Sequence, residues 1–269
     1  MDLVLIRHPA PAVEAGICYG RSDVPLAENA RVSSDSLFAR LAALGVPPPK
    51  ALWTSPLRRC SSVAAWLARR CRCVATADAR LQEMDFGAWE RMRWDAIDRA
   101  AIDAWAADFV HARLHGGESV AQFAARVAGW FEAWRASCDA FAGGAALPAP
   151  PASSALSGLT GSSVFSDSPG SKASAASAAS VASAASAASP ISPTSPTSPT
   201  STAVSASDRA SANRAAYVVT HAGVIRVLIS LALEVPLEEV QNWPLEMAAI
   251  VWLRYERTGR AWQLLRWNA

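Results

Sequence analysis

The sequence predicts an α/β fold in which a mostly parallel sheet is flanked by helices. Three observations carry that prediction. Short apolar runs such as Leu3 to Ile6, Ala51 to Thr54 and Ala216 to Thr220 have the length and composition of buried strands. Segments with helical spacing of apolar residues lie between them. Two of the strands end abruptly in a histidine, His8 and His221, and in an open α/β sheet chemistry collects at the carboxyl ends of strands.

The first strand ends in Arg7-His8-Pro9, a cation, an imidazole and a breaker. A loop follows, in which Gly20, Asp23 and Pro25 are turn formers. Leu37, Phe38, Leu41 and Leu44 fall at helical spacing and predict a helix over residues 30–44, stopped by Gly45 and Pro47-Pro48-Pro49. After the strand at 51–54, Ser55-Pro56 reads as a serine cap and first-turn proline opening a helix, with Cys60, Val63, Ala64, Leu67 and Cys71 as its buried stripe. Arg58 and Arg59 then stand in the first turn, where the positive end of the helix dipole disfavours cations unless an anion is bound there. A third strand is expected at 73–76, and a helical stretch at 94–110. Between them, residues 81–90 mix carboxylates with aromatics, and a carboxyl so placed, Glu83 or Asp85, can serve as a general acid. A helix opens at Glu118-Ser119 with Val120, Phe123, Val127, Phe131 and Trp134 on its buried face.

Residues 143–213 differ from everything else. They are mostly Ala, Ser, Pro, Thr and Gly, with almost no charge, few large apolar residues and Ala-Ala-Ser and Ser-Pro-Thr repeats, and this composition predicts a disordered insertion. Residues 1–142 and 214–269 then form one domain, because loop-closure entropy grows only logarithmically with loop length. After the strand ending at His221, an apolar helix over 224–233 carries one cation, Arg226, and residues 248–254 and 262–266 read as a closing strand pair.

Composition excludes several classes. Twenty-five basic against 23 acidic side chains give a net charge of +2, too balanced for a nucleic-acid or membrane-binding surface. Five cysteines with no C-x-x-C pair indicate neither a disulfide framework nor a zinc site, and His111 and His115 lack a third ligand nearby. No signal-peptide pattern and no run of ~20 apolar residues occurs, so a cytoplasmic location, no membrane, no metal and no cofactor are expected. The oligomeric state is open.

Four segments thus deliver Arg7-His8, Arg58-Arg59, Glu83 and His221 to strand ends or helix starts. Two histidines, arginines and one carboxyl are an inventory for phosphoryl transfer through a covalent histidine. On these pieces the chain resembles the histidine phosphatase superfamily, in its phosphoglycerate-mutase-like branch. The matching motifs are L-I-R-H ending at His8, the Gly20-x-x-Asp23-x-Pro-Leu26 loop, and T-S-P-L-x-R ending at Arg59. They continue with L-x-E-M-D-F-G-x-W-E from Leu81 to Glu90, G-G-E-S from Gly116 to Ser119, and V-V-T-H-A-G from Val218 to Gly223.

The resemblance implies a three-layer α/β sandwich and a small-molecule phosphomonoester as ligand. It implies that His8 is the phosphorylated nucleophile, that Arg7, Arg59 and His221 form the phosphate pocket, and that Glu83 is the proton donor. It also implies substrate contacts from Arg58, Tyr19, Gly20, Glu118 and Ala222. This chain departs from the pattern in reading Arg7-His8-Pro9 without a nearby asparagine, Trp89-Glu90-Arg91, and His115 before G-G-E-S. The R-H-P opening and the Cys18 to Asp23 loop look most similar to α-ribazole phosphatases, which act on α-ribazole 5′-phosphate in cobalamin assembly. A phosphoglycerate mutase, a broad-specificity sugar-phosphate phosphatase and a non-catalytic phospho-ligand binding protein are the alternatives.

Overall fold

A computed structural model of the chain describes residues 1–142, 215–256 and 258–269. The predicted disordered insertion at 143–213 lies outside the described residues. A six-stranded sheet has the order β3-β2-β4-β1-β5-β6, comprising β1 (Asp2–Arg7), β2 (Pro49–Thr54), β3 (Ala75–Ala77), β4 (Ala215–Thr220), β5 (Ile250–Glu256) and β6 (Ala261–Arg266). β1 to β4 run parallel, while β5 and β6 are antiparallel to their neighbours, closing one edge as the sequence pattern predicts.

Side chains alternate across a strand, and both faces of β1 are apolar, so β1 lies between two cores. Leu3 and Leu5 join a cluster with α4 (Val120–Ala142) and α5 (Ala222–Leu233). Val4 and Ile6 join the opposite cluster with α1 (Ala30–Ala43) and α2 (Arg58–Cys71). β4 divides in the same way, with Ala216 and Val218 facing one core and Tyr217 and Val219 the other. The result is a three-layer α/β sandwich with helices on both faces of a mostly parallel sheet. Two shorter helices, α3 (Arg99–Ala107) and α6 (Leu237–Val240), each contribute a side chain, Trp105 and Leu237, to the wall of one cavity.

Four local expectations are corrected. α2 begins at Arg58 with Leu57 as its cap, not at Ser55. The Ser55 hydroxyl accepts from the Leu57 N–H, which draws this serine into the approach to the helix and leaves it outside. β3 starts two residues later than predicted, because Arg72 at φ 54° turns the chain and Cys73 donates back to Ala68. The stretch 94–110 is not one helix: Trp94–Ala96 is a single 3₁₀ turn, and α3 restarts where the Asp98 carboxylate caps Ala100. The helix predicted from Glu118-Ser119 begins at Val120. Ser119 and Gln122 cap each other reciprocally, backbone N–H to side-chain oxygen in both directions.

Candidate active site

The register of β1 against β4 builds the centre of the site. Arg7 pairs with Thr220, so the residues that follow, His8 and His221, emerge side by side at the carboxyl ends of the two strands. The His8 N–H donates to the Thr220 carbonyl at 3.0 Å, and the two imidazole rings lie 5.2 Å apart. Both histidines are buried.

His8 Nδ1 lies 2.7 Å from the carbonyl of Pro9. A carbonyl only accepts, so Nδ1 carries the proton and Nε2 keeps its lone pair. Burial holds the His8 pKa well below its ordinary value, and the positive charge of Arg59 adds to the effect. An imidazole with a free Nε2 lone pair at neutral pH is a competent nucleophile. His221, the cap residue of α5, has its pKa lowered in the same way by burial, Arg59 and His8. Its Nε2 lies 2.8 Å from the Ser55 hydroxyl and 3.5 Å from the Cys60 sulfur.

Arg59 is fully buried. Its two terminal nitrogens donate to the carbonyls of Ser22 at 2.7 Å and Gly20 at 2.6 Å, which leaves Nε without a protein partner. Its guanidinium lies over the Tyr19 ring at 5.2 Å. Arg59 therefore secures the 19–22 loop over His8 as well as charging the site. The same loop is held from its other side by Glu90, whose carboxylate accepts from Arg21 N at 2.7 Å, Ser22 N at 2.9 Å and the Ser22 hydroxyl. Gly20 is packed so tightly that a Cβ there would lie 2.4 Å from both Glu90 Oε1 and the Met84 carbonyl.

Arg7 is buried, donates to the Leu245 carbonyl and retains an unpartnered Nε. Desolvation lowers its pKa, and the facing Tyr19 and Glu83 oppose that shift. Glu83 is fixed by two backbone donors, Met84 N on Oε1 and Gly223 N on Oε2, both at 3.1 Å. Arg7, Tyr19, Gly20, Glu83 and Ala222 line one cavity of about 240 Å³ whose remaining wall is mostly aromatic or aliphatic, including Phe86, Trp94, Trp105 and Phe123. His8, Arg59 and His221 are buried and are not among the residues that line it.

Two predicted contacts lie elsewhere. Arg58 is exposed, and its N–H donates to the Asp23 carboxylate at 2.7 Å, so the anion at the start of α2 is a residue of the chain itself. Glu118 is absent from the cavity wall. Its carboxylate is paired with Arg126 through two 2.7 Å bonds and accepts from Asp85 N.

Three further side chains take part in the site, none of them a predicted site residue. Ser55 partners His221, Arg126 donates to the carbonyls of Arg80, Gln82 and Glu83, and Arg226 lines the cavity. Arg226 alone left a sequence signal, as the one cation in an apolar helix. His115 is buried against Trp89 and Phe86 and accepts from Gly117 N, while His111 is exposed. Among the described residues no cluster of His, Cys, Asp or Glu could hold a metal ion, and no helix is long and apolar enough to cross a membrane.

An α/β sandwich with paired strand-end histidines, buried arginines and a backbone-held carboxyl defines a class of phosphate-handling protein. The family model of the histidine phosphatase superfamily (branch 1) matches residues 3–141 and 199–269, and the chain belongs to that superfamily. The probable phosphoglycerate mutase GpmB of Salmonella paratyphi B is 30% identical over 132 residues, 47% of this chain and 60% of that protein. The chain thus spans about three fifths of the length of the curated relatives it matches. In solved structures the fold recurs in a mycobacterial glucosyl-3-phosphoglycerate phosphatase bound to VO3, with a TM-score of 0.63 and 21% identity over 100% of this chain and 98% of that one. It recurs also in a putative α-ribazole-5′-P phosphatase of Escherichia coli, with a TM-score of 0.62 and 19% identity over 100% and 96% of the two chains.

Proposed function

We propose that this chain hydrolyses small phosphomonoesters through a phosphohistidine formed on His8. The observation that carries the proposal is the Nδ1–Pro9 contact, because a proton held on Nδ1 leaves the Nε2 lone pair free to attack. In the first step the Nε2 lone pair forms a bond to phosphorus and the P–O ester bond breaks. Glu83 gives its proton to the departing alcohol oxygen. Arg7 and Arg59 supply positive charge, and the neighbouring neutral His221 a ring N–H donor, to the phosphoryl oxygens. In the second step Glu83 takes a proton from water, the water oxygen bonds to phosphorus, and the P–N bond breaks to release phosphate and His8.

The relatives carry the names of phosphatases and mutases with different substrates, so α-ribazole 5′-phosphate has no advantage over phosphoglycerates or sugar phosphates as the physiological ester. A mutase reading has one specific support, the 30% identity to a probable phosphoglycerate mutase. A mutase requires priming by a bisphosphate, whereas a phosphatase turns over without it. The test is turnover of an aryl phosphate in EDTA, with acid-labile phosphoenzyme trapped from the same reaction. Wild type should show both, and His8→Ala neither. Full activity in a folded His8→Ala protein would overturn the assignment. A panel of α-ribazole 5′-phosphate, 3-phosphoglycerate with and without bisphosphate, and sugar phosphates separates the substrates.

A further inference from the structure

The wall of the cavity carries a second guanidinium that the phosphoryl chemistry leaves unassigned. Arg226 projects from α5 and donates to the Trp243 carbonyl at 3.2 Å, while Arg7 donates to the Leu245 carbonyl two residues further on. The two cations are thus tethered to the same short segment. Each keeps a buried Nε with no hydrogen-bond partner, and the indole N–H of Trp105, on the same cavity, has none either. Burial and the charge of Arg7 both lower the pKa of Arg226, and Glu83 is the one carboxylate on the cavity wall to oppose them. A guanidinium stays protonated in such a place, so this end of the cavity is cationic and rich in donors.

Most of the remaining wall is aromatic or aliphatic, and among its other side chains only Gln241 offers an amide. Away from the donors of Arg7, Arg226, Trp105 and Gln241, a polyol would lay its hydroxyls without partners against that apolar part of the wall. A flat apolar group would be well covered by it. Arg7 is adjacent to the nucleophile and is occupied with the phosphoryl group in the proposed mechanism. Arg226 is then free to take a second anion.

We infer that Arg226 is a specificity-determining residue, and that the substrate is a phosphomonoester whose alcohol carries a planar apolar body and an anionic group. This inference rests on the proposed hydrolysis and names its substrate class. The probes are benzyl phosphate, 4-carboxybenzyl phosphate and glycerol 1-phosphate, whose leaving alcohols are all primary. For wild type, kcat/KM should rise about tenfold from glycerol 1-phosphate to benzyl phosphate, and about tenfold again with the carboxylate, the scale of one charge-assisted hydrogen bond. In Arg226→Gln the advantage of the carboxylate should vanish, mainly through KM, and Arg226→Lys should restore part of it. A melting curve on each variant checks that it is folded.

Equal preference for the two benzyl esters in wild type would overturn the inference. An equal loss on both esters in Arg226→Gln would assign the residue to the phosphoryl group or to α5 packing and would overturn it as well. In either case the hydrolytic function stands. No turnover of any ester would overturn the hydrolysis itself.

Discussion

Replacing Gly223 with alanine should disable Glu83, the proposed proton donor, while leaving the fold intact. Gly223 stands at the second position of α5, where its N–H holds Glu83 Oε2. A Cβ built at this position would lie 2.3 Å from Glu83 Oε1 and 3.1 Å from the Phe123 ring. Ordinary contact begins near 3.4 Å, so the carboxylate has to retreat by about 1 Å. A displacement of that size at a reacting group costs about 100-fold in rate, or about 2.7 kcal/mol of barrier. Stability should change less. Alanine gains about 1 kcal/mol of helix propensity over glycine, which partly offsets an overpacking cost of about 1–3 kcal/mol. The assay is kcat on an aryl phosphate beside a thermal melt. A Gly223→Ala protein with wild-type melting and kcat within threefold of wild type would refute the claim that Glu83 acts from this position.

The remaining predictions address the supporting structure. His8 and His221 are buried with pKa values below the ordinary 6.5, so the unfolded chain takes up protons first as the pH falls. Their stabilising effect is complete above about pH 6.5 and is lost below it, at up to about 1.4 kcal/mol per pH unit for each; His221→Gln should flatten the slope of stability against pH in urea titrations between pH 6.5 and 5. The acid limb of kcat/KM should fall below pH 6.5, since His8 stays neutral to lower pH. Ser55→Ala removes the partner of His221 Nε2 and an acceptor for Leu57 N; a stability loss of about 1–2 kcal/mol with reduced kcat is expected, measured by melting and steady-state rates. Arg126→Met leaves the Glu118 carboxylate unpaired in a mostly buried setting and strips the donor from the carbonyls of Arg80, Gln82 and Glu83; a loss of about 2–4 kcal/mol by urea denaturation is expected.

Local patterns explain why so much of the fold was legible. A buried strand announces itself by apolar, β-branched composition over a few residues, so β1 and β4 were located to within a residue. The stripe from Val120 to Trp134 similarly marked the buried face of α4. Errors occurred where a short polar side chain decides between continuing and breaking a helix. Asp98 divided a stretch that periodicity alone made continuous, and Ser55 turned its hydroxyl to the approach of α2 and to His221.

The candidate site divides along the same line. Arg7, His8, Glu83 and His221 were visible because each follows or occupies a recognisable chain boundary and belongs to a motif. The occupations of the long side chains were not. Whether Arg59 spends its fork on loop carbonyls, whether Glu118 faces a ligand or Arg126, and whether Arg226 reaches a cavity all depend on which elements meet in space.

By itself, then, the sequence determined the layered α/β architecture, the strand-end placement of the two histidines and membership in a histidine-centred family, because these follow from short-range pattern and ordered motifs. The tertiary structure decided the tautomer of His8, the partners of the buried Arg7 and Arg59, and the largely apolar cavity that Arg7 lines. Those are settled by hydrogen bonds and packing between segments up to about 240 residues apart, such as Arg7 on the Leu245 carbonyl, and no local pattern encodes which distant carbonyl a guanidinium will find.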